Sequence, residues 1–500
     1  MQTAIAETRQ GTVQGIQQET IQVFKGIPFA QPPLAERRFR APQPPLAWQG
    51  VRTATSFGAS PIQNTNLVLE VGPMSEDCLY LNVWTPRADT GKRPVMVYIY
   101  GGSFVSGSSS QAVYDGSAFA NDGDIVVVTL NYRVGALGFL YLKEALGADY
   151  ATSGNNGLLD IIAALKWVQE NIASFGGDPT QVTLMGESAG AMSVATLMSM
   201  PAAQGLFARA IMESGAGQTA RDAQSAALVT QRLLAYTQKT AADLLTMSIQ
   251  DLYAAQMQLL SGTSLSRDFG PVLDGQVLEH YPLDAIQQGR AAHIPTLIGT
   301  NHHEANLFVA LDPRLAQPDA EVLTRIFGSN APAIQAAYTH AIQQKETRTA
   351  WTETLTNYQY LIPALALAAA QADQGASTWM YRFDWSKNPI GAFHALEVPF
   401  VWQTLGQDIR SLREQLSAFP QAQNIHYGPD DLRLTDQMHD AWIAFIRSGD
   451  PNATTPPAWP QYNSHERLTM LFNVQSQVVA LPPLQVEPGF QSRGFCWSTR

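Results

Sequence analysis

Three nearly continuous apolar runs of strand length lie in the first half of the chain, and they constrain the fold more than any other feature. The runs are VMVYIY (95–100), IVVVTLNYRV (125–134) and VTLM (182–185). Such runs are typical of strands buried on both faces of a parallel sheet. Between them, apolar residues recur with helical periodicity over 158–172. The alternation predicts an α/β fold with right-handed crossovers.

The second half of the chain combines helical segments with further strands. Stretches near 219–260 and 316–375 are rich in Ala, Gln and Leu, and we interpret them as helical excursions from the sheet. Strands are expected to resume at 296–300 and 379–385. A final amphipathic helix is predicted over about 432–447, before a Gly and a Pro that end it.

Composition favours one large globular unit. The 500 residues are 45% hydrophobic and only 15% charged, and no linker rich in Gly, Ser or charge interrupts them. We therefore expect a single domain over 1–500. The net charge of −11 would repel a phosphate backbone, which excludes nucleic acid as the expected partner.

The termini and cysteines suggest a cytoplasmic protein. The N-terminus lacks the basic and apolar pattern of a secretory signal. No stretch approaches the roughly 18 apolar residues that span a bilayer, so no membrane anchor is predicted. Cys78 and Cys496 are expected to be free thiols. The oligomeric state is left open.

The segment VTLMGESAGAMS places a Gly-x-Ser-x-Gly turn between a buried strand and a helix. This is the context of a nucleophile elbow. The turn would hold Ser188 in a strained backbone conformation, and small residues at Gly186 and Gly190 would let strand and helix pass closely. The helix N-terminus would direct its free N–H groups at the same point. Ser188 is therefore the candidate nucleophile.

A glycine-rich loop, Tyr100–Phe104, follows the first of the three strands. Glycines there would let backbone N–H groups approach a developing oxyanion without a Cβ in the way. The alternative is an ordinary glycine turn between a strand and a helix, and these residues alone do not exclude it.

Two long motifs resemble the signatures of the type B carboxylesterases, the family of bacterial para-nitrobenzyl esterases, animal carboxylesterases and cholinesterases. They are FGGDPTQVTLMGESAG (175–190) and EDCLYLNVWTP (76–86). Further matching blocks extend essentially from end to end. The resemblance implies an α/β-hydrolase fold, in which helices flank a central, mostly parallel sheet and helical insertions extend from it. It also implies a serine esterase that needs no cofactor or metal.

The resemblance further implies a Ser-Glu-His triad in that chain order. The block Gly299–Ala305 resembles the one that carries the catalytic acid, which makes Glu304 the acid. The block Gly391–Glu397 resembles the one that carries the base, which makes His394 the base. Order in the chain alone does not select His394 among the histidines.

An oxyanion hole formed by the N–H groups of Gly102, Ser103 and Ala189 is also implied by the resemblance. The sequence departs from the family at Ser103, where a third glycine is usual. Ser60 stands at the position where the family has the cysteine that pairs with the one at Cys78.

Other residues match structural features of the family. Arg38 with Glu76, and Arg133 with Asp160, resemble internal ion pairs that stabilise the fold. Ser214 resembles a serine that supports the catalytic acid by a hydrogen bond.

Other histidines provide alternatives. His302 and His303 lie beside Glu304, but adjacent histidines rarely point at one ion and no third ligand follows at a zinc spacing. No metal site is predicted. His439 is expected on a partly exposed helix face, and His426 is an alternative base in a loop without matching flanks.

The expected reaction is two-step acyl transfer on a small to medium ester. Phe104 and Phe308 are candidates for lining the acyl pocket, although either is equally well explained as a core aromatic. Cholinesterase activity is disfavoured because the loop from Ser60 to Cys78 contains no aromatic residue. Amide or carbamate hydrolysis by the same triad is an alternative. A non-catalytic binding protein on the same fold is another.

Overall fold

The computed structural model describes residues 3–63, 71–261, 265, 267–316, 319–405, 427–452 and 457–492. The strands within them are β1 Thr3–Thr8, β2 Gly11–Gln18, β3 Ile21–Pro28, β4 Val51–Thr53, β5 Tyr80–Thr85, β6 Arg93–Ile99, β7 Val126–Leu130, β8 Gly177–Glu187, β9 Arg209–Glu213, β10 Arg221–Asp222, β11 Val272–Leu273, β12 Thr296–Asn301, β13 Thr378–Phe383, β14 Leu468–Phe472 and β15 Gln477–Ala480.

The α-helices of the described residues alternate with these strands. They are α1 Ser117–Gly123, α2 Gly135–Phe139, α3 Lys143–Leu146, α4 Asn156–Asn171, α5 Ala189–Ser199, α6 Ala223–Thr237, α7 Ile249–Leu260, α8 Pro282–Gln287, α9 Ala305–Leu311, α10 Ala320–Phe327, α11 Ala331–Ala341, α12 Thr347–Thr356, α13 Ile362–Asp373, α14 Val398–Val401 and α15 Pro429–Ser448.

One large sheet organises the molecule, in the order β1-β2-β3-β5-β7-β6-β8-β9-β12-β13-β14-β15, with β4 on β2. The strands from β7 to β14 pair in parallel. The pairings at both edges are antiparallel, except that β4 pairs with β2 in parallel. The prediction of a mostly parallel sheet is confirmed. The five residues of β7 are all buried, as a strand covered on both faces requires.

The boundaries of two predicted strands differ from the apolar runs. β7 ends at Leu130, because the next residues leave the sheet to make other contacts. The Tyr132 hydroxyl donates to the Tyr100 carbonyl at 3.0 Å, and Arg133 pairs with Asp160 at 2.7 Å. β8 starts earlier than its run, at Gly177.

The helical predictions hold at both excursions. α6 and α7 lie within 219–260, and α10 to α13 lie within 316–375. Pro363 lies in the first turn of α13, directly after the π-helical turn Asn357–Leu361. Its missing N–H leaves the Gln359 carbonyl without an α-helical donor, and that oxygen accepts the Gln218 side-chain amide at 2.8 Å instead. Within the described residues, no helix is both long and apolar enough to cross a membrane.

The final helix is longer than predicted, and the expectation of a partly exposed His439 is wrong. α15 packs against α14 and α1, and His439 is fully buried. Its Nδ1 lies 2.7 Å from the Val401 carbonyl oxygen, and its ring centre lies 4.4 Å from that of Phe119. The buried face of this helix therefore includes a histidine, whose burial is tolerated because one ring nitrogen forms a hydrogen bond inside the protein.

Both implied ion pairs are formed. Arg38 binds Glu76 through two hydrogen bonds of 2.7 and 2.5 Å. Cys78 is buried and forms no disulfide with any residue that the structure describes, and burial raises the pKa of its thiol. The prediction for Cys496 lies outside the described residues.

Candidate active site

Ser188 connects the end of β8 to the start of α5 in a strained conformation. Its φ of 55° and ψ of −122° lie in a region that non-glycine residues rarely adopt. Its N–H donates to the Glu213 carbonyl on the neighbouring strand at 2.8 Å. A Cβ at Gly186 would lie 2.5 Å from the Gly190 carbonyl carbon, and a Cβ at Gly190 would collide with the Ile99 carbonyl oxygen. These contacts show why the turn requires small residues at both positions.

The glycine-rich loop after β6 packs directly against this turn. A Cβ at Gly101 would lie 2.9 Å from the Ser188 Cβ. Gly102 and Ser103 both have positive φ, at 117° and 56°, so Ser103 adopts the backbone conformation that a glycine would favour. Ala189 is the first residue of α5, where backbone N–H groups have no acceptor within the helix.

His394 and Glu304 contact each other at the carboxyl edge of the sheet. Glu304 follows β12, and His394 lies in the segment after β13, the next parallel strand. Nδ1 of His394 lies 2.7 Å from Oε2 of Glu304. The other carboxylate oxygen of Glu304 accepts the Asn301 backbone N–H at 2.8 Å. The orientation of Glu304 is therefore set by two hydrogen bonds.

The second nitrogen of His394 faces a carboxylate that was not predicted. Nε2 lies 3.2 Å from Oε1 of Glu187, the residue directly before Ser188. Among the described residues, the Ser188 hydroxyl makes no hydrogen bond to His394. Of the three expected triad members, Glu304 and His394 are therefore in direct contact. Ser188 directly follows Glu187, the residue that His394 contacts through Nε2. Glu187 occupies a variable position of the Gly-x-Ser-x-Gly motif, which gave no signal for its role.

Glu397 forms a second layer behind these residues. It accepts hydrogen bonds from the Ser214 hydroxyl, at 3.1 Å, and from the Asn301 side chain. The expectation that Ser214 supports the catalytic acid is therefore corrected, because its partner is Glu397 and not Glu304. Glu397 closes the block that supplied His394, so its chain spacing was the available signal.

The buried carboxylates alter the titration of the whole site. Burial favours neutral His394, but Glu187 and Glu304 outweigh it and raise the pKa of this imidazole to about 9. Burial raises the pKa of Glu187, and so do Glu397 and Glu304, while His394 opposes them. Burial and Glu304 raise the pKa of Glu397 to about 7. The site therefore favours a positive charge on the imidazole.

The two neighbouring histidines have structural contacts. His303 Nδ1 accepts the Ala392 backbone N–H at 3.2 Å, and the His303 N–H donates to the Ala392 carbonyl at 2.8 Å. The His302 ring stacks on that of His303, with centres 4.3 Å apart. These contacts fix the segment that carries His394. His426, the alternative base, lies outside the described residues.

A cavity opens above Ser188, which is 7% exposed. Phe104 lines this cavity and also packs edge-on against Phe139. Phe308 instead lies beside the imidazole, its ring centre 5.1 Å from that of His394. The other lining residues are apolar (Met192, Leu265, Phe269), polar (Ser103, Thr219, Gln359, Tyr360) or charged (Arg267). No motif indicated Arg267, Gln359 or Tyr360.

A model of the carboxylesterase family matches residues 2–487. The chain belongs to the carboxylesterase family. It is 39% identical over 485 residues to the para-nitrobenzyl esterase of Bacillus subtilis, with 94% of each protein covered. It is 35% identical over 498 residues to the fumonisin B1 esterase of Sphingopyxis macrogoltabida, with 97% of this chain and 88% of that protein covered.

A solved structure supports the same assignment. The carboxylesterase of Geobacillus stearothermophilus at pH 6.2 matches with a TM-score of 0.84 and 41% identity, over 96% of this chain and 98% of that one. This carboxylesterase therefore has the α/β-hydrolase fold. It is a serine hydrolase of carboxylic esters whose substrates are small molecules. The family assignment does not favour the amide, carbamate or binding-only alternatives.

Proposed function

We propose that this carboxylesterase cleaves small to medium esters through an acyl-enzyme on Ser188, with His394 as general base and Glu304 as the acid of the triad. The Ser188 oxygen attacks the ester carbonyl carbon while His394 takes its proton. The tetrahedral intermediate collapses, the bond to the alcohol oxygen breaks, and His394 protonates that alcohol. Water then attacks the acyl-enzyme in the same way and releases the acid.

The backbone geometry of Ser188 is the observation that carries this proposal. Strained backbone conformations cluster at functional sites, since the surrounding structure must sustain them. Here the strain presents a hydroxyl at the N-terminus of a fully buried helix and at the floor of a cavity. The nearby Glu304–His394 pair supplies a base whose second nitrogen lies beside the residue that precedes Ser188. Catalytic hydrogen bonds are often formed only when substrate binds.

The proposed oxyanion hole consists of the N–H groups of Gly102, Ser103 and Ala189. Positive φ values in the loop and the free N-terminal N–H of α5 support it. Each donor in such a hole typically contributes about 3 kcal/mol to stabilisation of the transition state.

We further propose that residues 1–500 form one catalytic domain. This proposal is supported by a single connected cluster of buried apolar residues, which extends from Ala4 in β1 to Phe472 in β14.

The test combines a substitution with covalent labelling. Ser188→Ala should lower kcat on p-nitrophenyl esters by roughly 10⁶-fold, because both acyl-transfer steps need the nucleophile. A serine-directed phosphonate should label the wild type at Ser188 and should not label the variant. Ser199→Ala, on the same helix, is the matched control, since the Ser199 hydroxyl bonds only to the Thr196 carbonyl among the described contacts, at 2.6 Å. Near-normal turnover by Ser188→Ala would refute the proposal.

A further inference from the structure

The cavity above Ser188 contains a buried cation. Arg267 is 8% exposed and lines this cavity together with aromatic and aliphatic side chains. A guanidinium is an unusual component of a pocket that has only to accept a hydrocarbon acyl chain, because burying a charge costs free energy. Its presence in the lining of the same cavity as Ser188 indicates that it contacts the substrate.

The guanidinium has a defined orientation. One Nη donates to the Gln218 backbone carbonyl at 3.2 Å, and the other donates to the Gln359 side-chain carbonyl at 2.6 Å. Gln359 also lines the cavity. A planar donor group held in this way is prepared to bind a carboxylate, for which the geometry of arginine is well matched.

The charge of Arg267 persists at neutral pH. Burial lowers the pKa of this guanidinium to about 10, while Tyr360 opposes the shift. The group therefore stays protonated at pH 7, but its cationic form has lost hydration. An anion arriving in the cavity would restore part of that lost stabilisation.

The cavity is positioned for the acyl arm of the ester. The alcohol oxygen must face His394, because it takes its proton from that imidazole. His394 does not belong to the residues that line this cavity, whereas Ser103 of the glycine-rich loop does. The arm that extends toward Arg267 is therefore the one that stays on Ser188 in the acyl-enzyme.

We propose that Arg267 makes this enzyme selective for acyl groups that end in a carboxylate, that is, for monoesters of dicarboxylic acids. The inference rests on the proposed function, since it places the acyl arm relative to Ser188 and His394. Glu187 and Glu304 lie near the nucleophile and would repel an anionic acyl group. Arg267 provides a compensating positive charge in the lining of the same cavity.

The wild-type enzyme tests this with two substrates that are nearly equal in size and differ in the charge of the terminal group. They are the p-nitrophenyl monoester of adipic acid and the corresponding p-nitrophenyl ester with a terminal carboxamide. We expect kcat/KM to be at least about tenfold higher for the carboxylate, as for a charge-assisted hydrogen bond. The rate without enzyme is subtracted for both. Equal rates, or faster hydrolysis of the carboxamide, would overturn the inference, and this comparison needs no variant.

Substitutions then assign the preference to Arg267. Arg267→Gln should bring the carboxylate-to-carboxamide ratio close to one or below, and Arg267→Lys should retain a reduced preference because it keeps the charge but loses the fork. Arg9→Gln makes the same change in net charge at a side chain that is 66% exposed on the β1–β2 hairpin, and its ratio should equal that of the wild type. An unchanged ratio in Arg267→Gln contradicts the assignment.

The same assays separate this inference from the proposed function. If neutral esters are hydrolysed and Ser188 is labelled, but the carboxylate is not preferred, only the role of Arg267 is wrong. If no ester is hydrolysed and the phosphonate does not label Ser188, the proposed catalytic residues are wrong.

Discussion

At the scale of single residues, the buried imidazole of His394 meets a carboxylate at each ring nitrogen. Glu304 is 2.7 Å from Nδ1 and Glu187 is 3.2 Å from Nε2, with Glu397 behind them. In a buried site, opposite charges at such distances favour the imidazolium. The same field that would stabilise an imidazolium formed in the proposed acyl transfer also keeps His394, the proposed base, protonated at a higher pH. Because these groups titrate together, the measured pKa belongs to the cluster.

Glu187→Gln is expected to shift the acidic limb of the pH profile toward lower pH. A general base acts only when it is unprotonated, and Glu187 helps to raise the pKa of His394 to about 9. Removing that negative charge lowers the pKa, so activity should rise at a lower pH than in the wild type. The measurement is kcat/KM on a neutral p-nitrophenyl ester as a function of pH.

A second acidic residue provides the control for this shift. Glu36 is 76% exposed, and Glu36→Gln makes the same change in charge on the surface. Its pH profile should follow that of the wild type. A limb that moves to higher pH in Glu187→Gln would show that Glu187 does not stabilise the imidazolium.

At the scale of structural elements, the strand–turn–helix unit of β8 and α5 determines the geometry of Ser188, the proposed nucleophile. The turn brings α5 against the end of β6, where the Ile99 carbonyl oxygen approaches the Cα of Gly190. Backbone atoms occupy the space on both sides of the turn, so no side-chain rotation can make room there. Because Ser188 lies between these contacts, any change in how the two elements pack also moves its hydroxyl.

Gly190→Ala is expected to reduce both stability and activity. Its Cβ would collide with backbone that cannot move without separating β6 from α5. Overpacking of this kind typically costs about 1–3 kcal/mol. Urea unfolding should therefore show a lower midpoint, and kcat should fall because Ser188 moves with the helix.

Gly428→Ala is the matched control for that substitution. Gly428 has a negative φ of −99°, and its added Cβ would meet only an Asp431 oxygen at 3.8 Å. Gly428 is the N-cap residue of α15, where alanine is less favoured than glycine, so the unfolding midpoint should fall less than in Gly190→Ala, and kcat should remain close to that of the wild type. Equal behaviour of the two variants would mean that the close approach at Gly190 is not required.

At the scale of the whole molecule, the helical excursion has a small core of its own. Residues of α10, α11 and α12 form an apolar cluster around Trp351, whereas the sheet belongs to a far larger core. The small cluster includes Ala305, the residue after Glu304. Local stability depends on the amount of buried apolar contact, so the excursion should open more easily than the sheet.

Hydrogen exchange measured by mass spectrometry should reveal this difference. Amides of α10 to α12 are expected to exchange before those of β6 and β8 under native conditions, because opening the excursion exposes only its small core. A peptide from α4, which packs against the sheet, serves as a slow-exchanging helical control. Equal protection of the excursion and α4 would show that the two cores open together.

Much of this fold could be predicted from local sequence patterns. The apolar runs of β6, β7 and β8 and the periodicity of α4 have short-range causes, so a linear reading recovers them. The ends of these elements are harder to predict. β7 ends at Leu130, and the next residues leave the sheet for distant contacts such as the ion pair of Arg133 with Asp160. The burial of His439 was missed for the same reason, because its environment is supplied by α1 and α14.

The candidate site divides in the same way. By itself, the sequence predicted the strand–turn–helix elbow at Ser188 and, through family resemblance, proposed Glu304 and His394 as its partners. Only the tertiary structure decided that Glu187 faces the imidazole and that Arg267 lines the cavity. A turn between a strand and a helix is built from neighbouring residues, and its requirements are therefore visible in the chain. Contacts across a cavity depend on how segments distant in the chain pack together, and a local sequence pattern carries no information about that packing.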